Sequence, residues 1–184
     1  MRTREYSHPA LTEFATIAGA FCRVVENRDQ MTPELQLNEI HRLLPRAYFA
    51  ALELPDTSVL FDDGDDDDSR EPEPEPAHLP VTLPPGLDRL AEFLSLHRFY
   101  REVFDPYAES TEGEVTGDLI DDLGDIYVDM HAGLVHWRNG ETGHALWEWR
   151  FNFQIHWAEH ATSALRAIFA LSAWHAFPWP AGAG

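Results

Sequence analysis

Five aspartates between positions 118 and 129 carry the clearest chemical signal in the chain. If the segment is helical, Asp118, Asp122, Asp125 and Asp129 fall in one narrow arc at 100° per residue. Asp121 flanks that arc and His136 continues it, while Leu119, Leu123, Ile126, Met130, Leu134 and Trp137 make the opposite, apolar face. A solvated acidic face is the ordinary fate of such a run. Two features oppose that reading. Every member is Asp, a poorer helix former than Glu by a few tenths of a kcal/mol. Like charges also sit at i,i+3 or i,i+4, Asp118 with Asp121 and Asp122, and Asp125 with Asp121, Asp122 and Asp129. Each such pair costs about 0.2–0.5 kcal/mol. A bound Mg²⁺ or Mn²⁺, or a basic partner, would relieve the repulsion.

A matching polar row follows at Glu148, Asn152, His156 and His160, spaced by four, with Glu159 and Ser163 beside it. His156 and His160 at i,i+4 can grip a metal from one helix face, and satisfied core or interface histidines are the plainer alternative. The candidate metal ligands are therefore Asp118, Asp122, Asp125, Asp129, His156 and His160, with Glu148 or His156 as candidate catalytic base. His-Glu-x-x-His and paired Glu-x-x-His motifs are absent, which argues against a zincin or a di-iron bundle. Asp121-Asp122-x-x-Asp125 has the spacing that isoprenoid synthases use, but the chain is too short for that fold and lacks a second acidic motif. Arg150 stands off the polar row, and the expectation is that it reaches a carboxylate of the aspartate helix.

Five helices must position these groups. The first spans about residues 9–27, with Ser7 as cap and a stripe of Leu11, Phe14, Ala18, Phe21 and Val25. The second opens on Thr32-Pro33-Glu34 and carries Pro45, where a kink is expected. Residues 55–85, with Asp62 to Asp68 and alternating Glu-Pro from Glu71 to Pro76, read as an acidic, Pro-rich flexible loop. A third helix is expected over about residues 87–104, and a fourth over 118–138 with Thr116 as cap and Asn139-Gly140 as stop. The fifth runs from Thr142 toward Phe177, apolar on two faces, with a bend near residues 158–163. No strand pattern stands out. The fold class is all-α: one domain over residues 1–184, a bundle of about five helices around a long, largely buried C-terminal helix.

Composition narrows the function classes. The net charge of −19 opposes a nucleic-acid or anionic-membrane partner. All basic residues are Arg, which removes Schiff-base chemistry and a Walker A loop. The single cysteine, Cys22, excludes an intrachain disulfide and any cysteine-built metal centre. No signal peptide or spanning segment is visible, so a cytoplasmic protein is expected.

The run Asp121-Asp122-Leu123-Gly124-Asp125-Ile126-Tyr127, with Trp147-Glu148-Trp149-Arg150-Phe151-x-Phe153 and His156-Trp157-x-x-His160, resembles a bacterial family known only as a domain of unknown function. Phe21-Cys22-x-x-x-Glu26 and Leu52-x-Leu54-Pro55 fit it too, and the resemblance implies an all-helical bacterial cytosolic protein with no assigned activity. The first functional expectation is a non-enzymatic binding or interaction protein that engages a protein partner, because no complete catalytic motif is present. The second is a metal-dependent, phosphohydrolase-like enzyme using Mg²⁺ or Mn²⁺ on the aspartates.

Overall fold

The structure is a computed structural model that describes residues 7–27, 30–57, 84–103, 107 and 114–174. Most of the expected acidic loop, residues 58–83, lies outside the described residues. The elements run α1 (Pro9–Glu26), α2 (Pro33–Leu52), α3 (Pro85–Leu94), β1 (Phe99–Val103), β2 (Glu114–Asp118), α4 (Leu119–Arg138), α5 (Thr142–Asn152) and α6 (Ala158–Trp174). The all-α class holds, with one short hairpin added.

Local chemistry sets the helix starts. His8, rather than Ser7, caps α1 by accepting the Ala10 amide on Nδ1, and Pro9 occupies the first helical position. Thr32 Oγ1 accepts the Leu35 amide at the start of α2, as the Thr-Pro pair predicts. α2 runs to Leu52 with Pro45 inside it, on an exposed position. At the start of α4 the cap is Asp118, not Thr116, because the preceding residues are in strand β2.

The third expected helix is shorter than its apolar pattern suggests. α3 stops at Leu94, a 3₁₀ turn follows (Ser95–Arg98), and the chain then extends into β1. β1 and β2 pair antiparallel, with Tyr100 opposite Gly117. A side chain at Gly117 would meet the Tyr100 ring at 2.4 Å, so the glycine leaves room for the ring to lie across the ladder.

The long C-terminal element is one rod made of α5, a π-helical turn (Phe153–Trp157) and α6. Its Leu146, Trp149, Phe153, Trp157, Ala164, Ile168 and Leu171 all face the core. The second apolar side of the expectation is not buried: Phe151 and Phe169 are exposed. One face alone is enough to carry the core because α4, α2 and α1 close over it. The two largest side chains there, Trp149 and Trp157, are fully buried and tilt against Phe14 of α1.

α4 is the hub, touching α1, α5 and α6. Its expected apolar face is buried from Leu119 through Leu134. Gly133 lets it approach α5, where the Trp149 indole lies against the α4 backbone and donates from Nε1 to the Met130 carbonyl at 3.0 Å. Arg150 does not reach a carboxylate of α4. Its guanidinium donates to the Ala51 carbonyl in the last turn of α2, where freed carbonyls favour a cation.

A Cβ at position 133 would stand 2.1 Å from Trp149 Nε1, a rigid ring that cannot give way. Gly133→Ala should therefore cost about 1–3 kcal/mol by overpacking, despite alanine's better helix propensity. Urea unfolding checks this, and an unchanged or raised midpoint would show that the α4–α5 approach is looser than described.

Candidate metal centre

Three aspartates of α4 converge on two histidines of the rod. Asp122 Oδ1 lies 2.9 Å from His160 Nδ1, and Asp129 Oδ2 lies 2.7 Å from His156 Nδ1. Asp125, one turn from each, places Oδ2 3.4 Å from His160 Nε2. Asp125, His156 and His160 each bring one ligand atom to within 4.8 Å of the others. The two imidazoles meet edge-on with centroids 4.8 Å apart.

The carboxylates are unequal. Asp122 and Asp129 are 6% and 8% exposed, while Asp125 stands half-open with both imidazoles. The inner pair meets each ring at Nδ1, and in a neutral ring a carboxylate there accepts the Nδ1–H and leaves the Nε2 lone pair outward. Thus the two buried aspartates orient, and the open Asp125 joins the outward face of the rings.

A π-helical turn lies over Phe153–Trp157, immediately around His156. Glu148 is not among the groups that converge there; it accepts a hydrogen bond from Asn152 Nδ2 at 3.0 Å. A row spaced by four drifts about 40° per step around an α-helix, so two steps already carry Glu148 well away from the face of His156.

Asp118 also stands apart. Its carboxylate caps α4 through the Ile120 amide and takes a fork from Arg98, with Nε 2.9 Å from Oδ1 and Nη2 in close contact with Oδ2. It belongs to the helix start rather than to the imidazole cluster. Asp121 is exposed.

The hairpin supplies groups that the sequence pattern did not reveal. Tyr100 donates its hydroxyl to Asp122 Oδ2 at 2.5 Å, so that carboxylate is held on one oxygen by a phenol and on the other by an imidazole. Glu102, two residues along β1 on the same side, accepts from Ser163 of α6 and lies 3.4 Å from the Tyr100 hydroxyl. Tyr100 and Glu102 were missed because residues 99–103 read as the end of a helix. The residue types Phe99-Tyr100-Arg101-Glu102-Val103 do not alternate apolar with polar, so the sequence carried no strand signal there.

Electrostatically the cluster is short of positive charge. Burial holds the Asp125 and Asp129 carboxyls above the usual carboxylate range, with neighbouring carboxylates adding to the effect. The hydrogen bond to Asp122 raises His160 above its usual value, against the effect of its burial. Burial, then the bond to Asp122, pushes the Tyr100 hydroxyl up and keeps it a donor. Each of these groups retains protons more firmly than it would in water.

The family model for a domain of unknown function (DUF5063) matches residues 6–174. Among solved structures the chain is similar to protein BF1032 from Bacteroides fragilis, known from a crystal structure, with 22% identity over 90% of this chain and 94% of that one and a TM-score of 0.65. At that identity the likeness is one of fold. No curated protein matches the chain. No described helix is long and apolar enough to cross a membrane.

The raised His160 has a definite sign in metal-free protein. Its folded state binds the proton more tightly than the unfolded chain, whose value is near 6.5, so its contribution is complete below that pH. The contribution is lost as pH rises through the elevated value. With a chelator present, the unfolding free energy of wild type should fall as pH rises above the unfolded value more steeply than that of His160→Gln. Parallel pH profiles would mean that the Asp122–His160 bond does not hold the proton.

Proposed function

The chain belongs to the DUF5063 family, and on the geometry of its α4 cluster we propose that it is a metal-dependent protein in which Asp125, His156 and His160 hold one divalent first-row transition ion. The carrying observation is the convergence of one ligand atom from each of these residues within 4.8 Å. Buried Asp129 and Asp122 orient the rings through Nδ1. Imidazoles backed by carboxylates are the usual outer support of metal-ligating histidines.

The donor set shifts the expected ion. Two imidazoles and one carboxylate suit Zn²⁺, Fe²⁺, Co²⁺ or Mn²⁺, whereas Mg²⁺ prefers oxygen ligands and keeps its waters. Three protein ligands leave coordination positions open to water and substrate. Such an ion supplies a Lewis acid and an acidified water, which makes metal-assisted hydrolysis the proposed chemistry. His156 then serves as ligand rather than base. The alternative of an acidic docking face for a basic partner needs free carboxylates, and Asp122 and Asp129 are buried against histidines instead.

Adding Zn²⁺ or Mn²⁺ at about a hundredfold excess over its Kd should stabilise the chelator-treated protein by about 2.7 kcal/mol. For a chain of this size the thermal midpoint rises by roughly 5–10 °C. Asp125→Asn and His160→Gln should each lose the part of that rise that this site supplies, and Mg²⁺ should give much less of it. Equal midpoints for wild type and both variants, with and without every ion, would remove the proposal.

A further inference from the structure

A second group of ligand-type side chains lies where α4 turns into α5, apart from the first cluster. His136, Glu141 and His144 bring one ligand atom each to within 4.8 Å of the others. His136 Nδ1 is 2.6 Å from Glu141 Oε2, and the rings of His136 and His144 stack at a tilt with centroids 5.4 Å apart. We propose that this turn is a second divalent-metal site, with His136, Glu141 and His144 as its ligands, open to solvent and suited to an imidazole-seeking ion such as Zn²⁺.

The backbone beneath these residues is already fixed. α4 ends with Gly140 at φ 77°, a left-handed position that glycine adopts without strain. The Glu141 amide donates to the His136 carbonyl at 3.0 Å, and the Gly140 amide donates to the Trp137 carbonyl at 3.1 Å. These are the two bonds of a Schellman turn, which ordinarily sets an apolar contact between the residues that His136 and Glu141 occupy here. In this chain an imidazole and a carboxylate take those two places. His144, in the first turn of α5, closes the third side.

Charge and reach favour a cation. The C-terminus of α4 carries the negative end of the helix dipole. Zn–N and Zn–O bonds of about 2.0–2.2 Å put the donors of one ion roughly 3.3 Å apart. The three ligand atoms already lie within 4.8 Å of one another, so an ion needs them to close by only about 1.5 Å. The side chains of His136 and Glu141 are about one-third to one-half exposed, so an ion enters from solvent and retains waters. An ion here would tie together the two elements that carry the two halves of the first cluster, α4 and the rod beginning with α5.

Calorimetric titration of chelator-treated full-length protein with Zn²⁺ tests the proposal. Wild type should take up two equivalents. Glu141→Gln and His144→Asn should each lose one, while Asp125→Asn should retain the equivalent that these variants lose. In the Asp125→Asn background, Zn²⁺ should still raise the thermal midpoint, and adding His144→Asn should abolish that rise. Zn²⁺ uptake by Glu141→Gln and His144→Asn indistinguishable from wild type would overturn the second site without touching the first. A single equivalent in wild type, unchanged in Asp125→Asn and abolished in His144→Asn, would overturn the first site and leave the second standing.

Discussion

A carboxylate taken out of water must be met by a hydrogen bond or an opposite charge, or folding loses several kcal/mol. α4 buries two of them. Asp122 and Asp129 share the helix with an apolar face that is packed from Leu119 to Leu134, so they cannot turn to solvent without withdrawing that face from the core. Their partners must come from the rod, and His160 and His156 are the groups that arrive. The π-helical turn, the docking of the hairpin and the openness of Asp125 can all be understood from this constraint. The turn lies around His156, where the rod packs on α4. The hairpin brings Tyr100 to the second oxygen of Asp122. Asp125, the residue between the two buried carboxylates along the arc, is left facing the outward ring nitrogens.

Much of this was legible because it follows from period. The 3.6-residue spacing that separates Leu123 and Ile126 from Asp122 and Asp125 marks one helix with two different faces, and the four-residue step from His156 to His160 puts both on one face. The preference for Asp over Glu along α4 has a geometric counterpart in the structure. The shorter side chain brings the carboxylate close to its own helix, where a neighbouring imidazole on a packed helix can reach it at 2.7–2.9 Å.

What was not legible depends on features that period cannot express. A row spaced by four looks like one face, but it drifts about 40° per step around an α-helix and so leaves Glu148 behind, and nothing in Phe153-Gln154-Ile155-His156-Trp157 announces the π-helical turn. Asp118 belonged to the same arc but was claimed by a long-range partner, Arg98, that lies across the hairpin turn. Arg150 shows the opposite case, a cation expected to seek a side-chain charge that instead meets a backbone carbonyl at a helix end. The hairpin itself was hidden because Phe99 to Val103 follows a helical pattern without an intervening proline, and the pairing with Glu114 to Asp118 that makes it a strand is a contact between distant residues.

The charge around the first cluster bears on what chemistry it can support. With neutral imidazoles, the carboxylates of Asp122, Asp125 and Asp129 give the cluster a charge of −3, and a divalent ion brings it only to −1. The groups acting most strongly on Asp125 are the two imidazoles and the carboxylates of Asp121 and Asp122, with no guanidinium among them. Sites that take phosphate esters usually surround the leaving phosphoryl with Arg, Lys or further metal ions, because charge there must be neutralised as the bond breaks. Arg98, from the 3₁₀ turn leading into the hairpin, is already committed to Asp118. A doubly charged phosphate would thus approach a centre that remains net negative, whereas a neutral ester or amide, or a cationic substrate, would not. Under the proposed hydrolytic reading, the charge among the described residues would favour uncharged or positively charged substrates over phosphate esters, with proton and metal ion competing for the same outward ring nitrogens as pH falls.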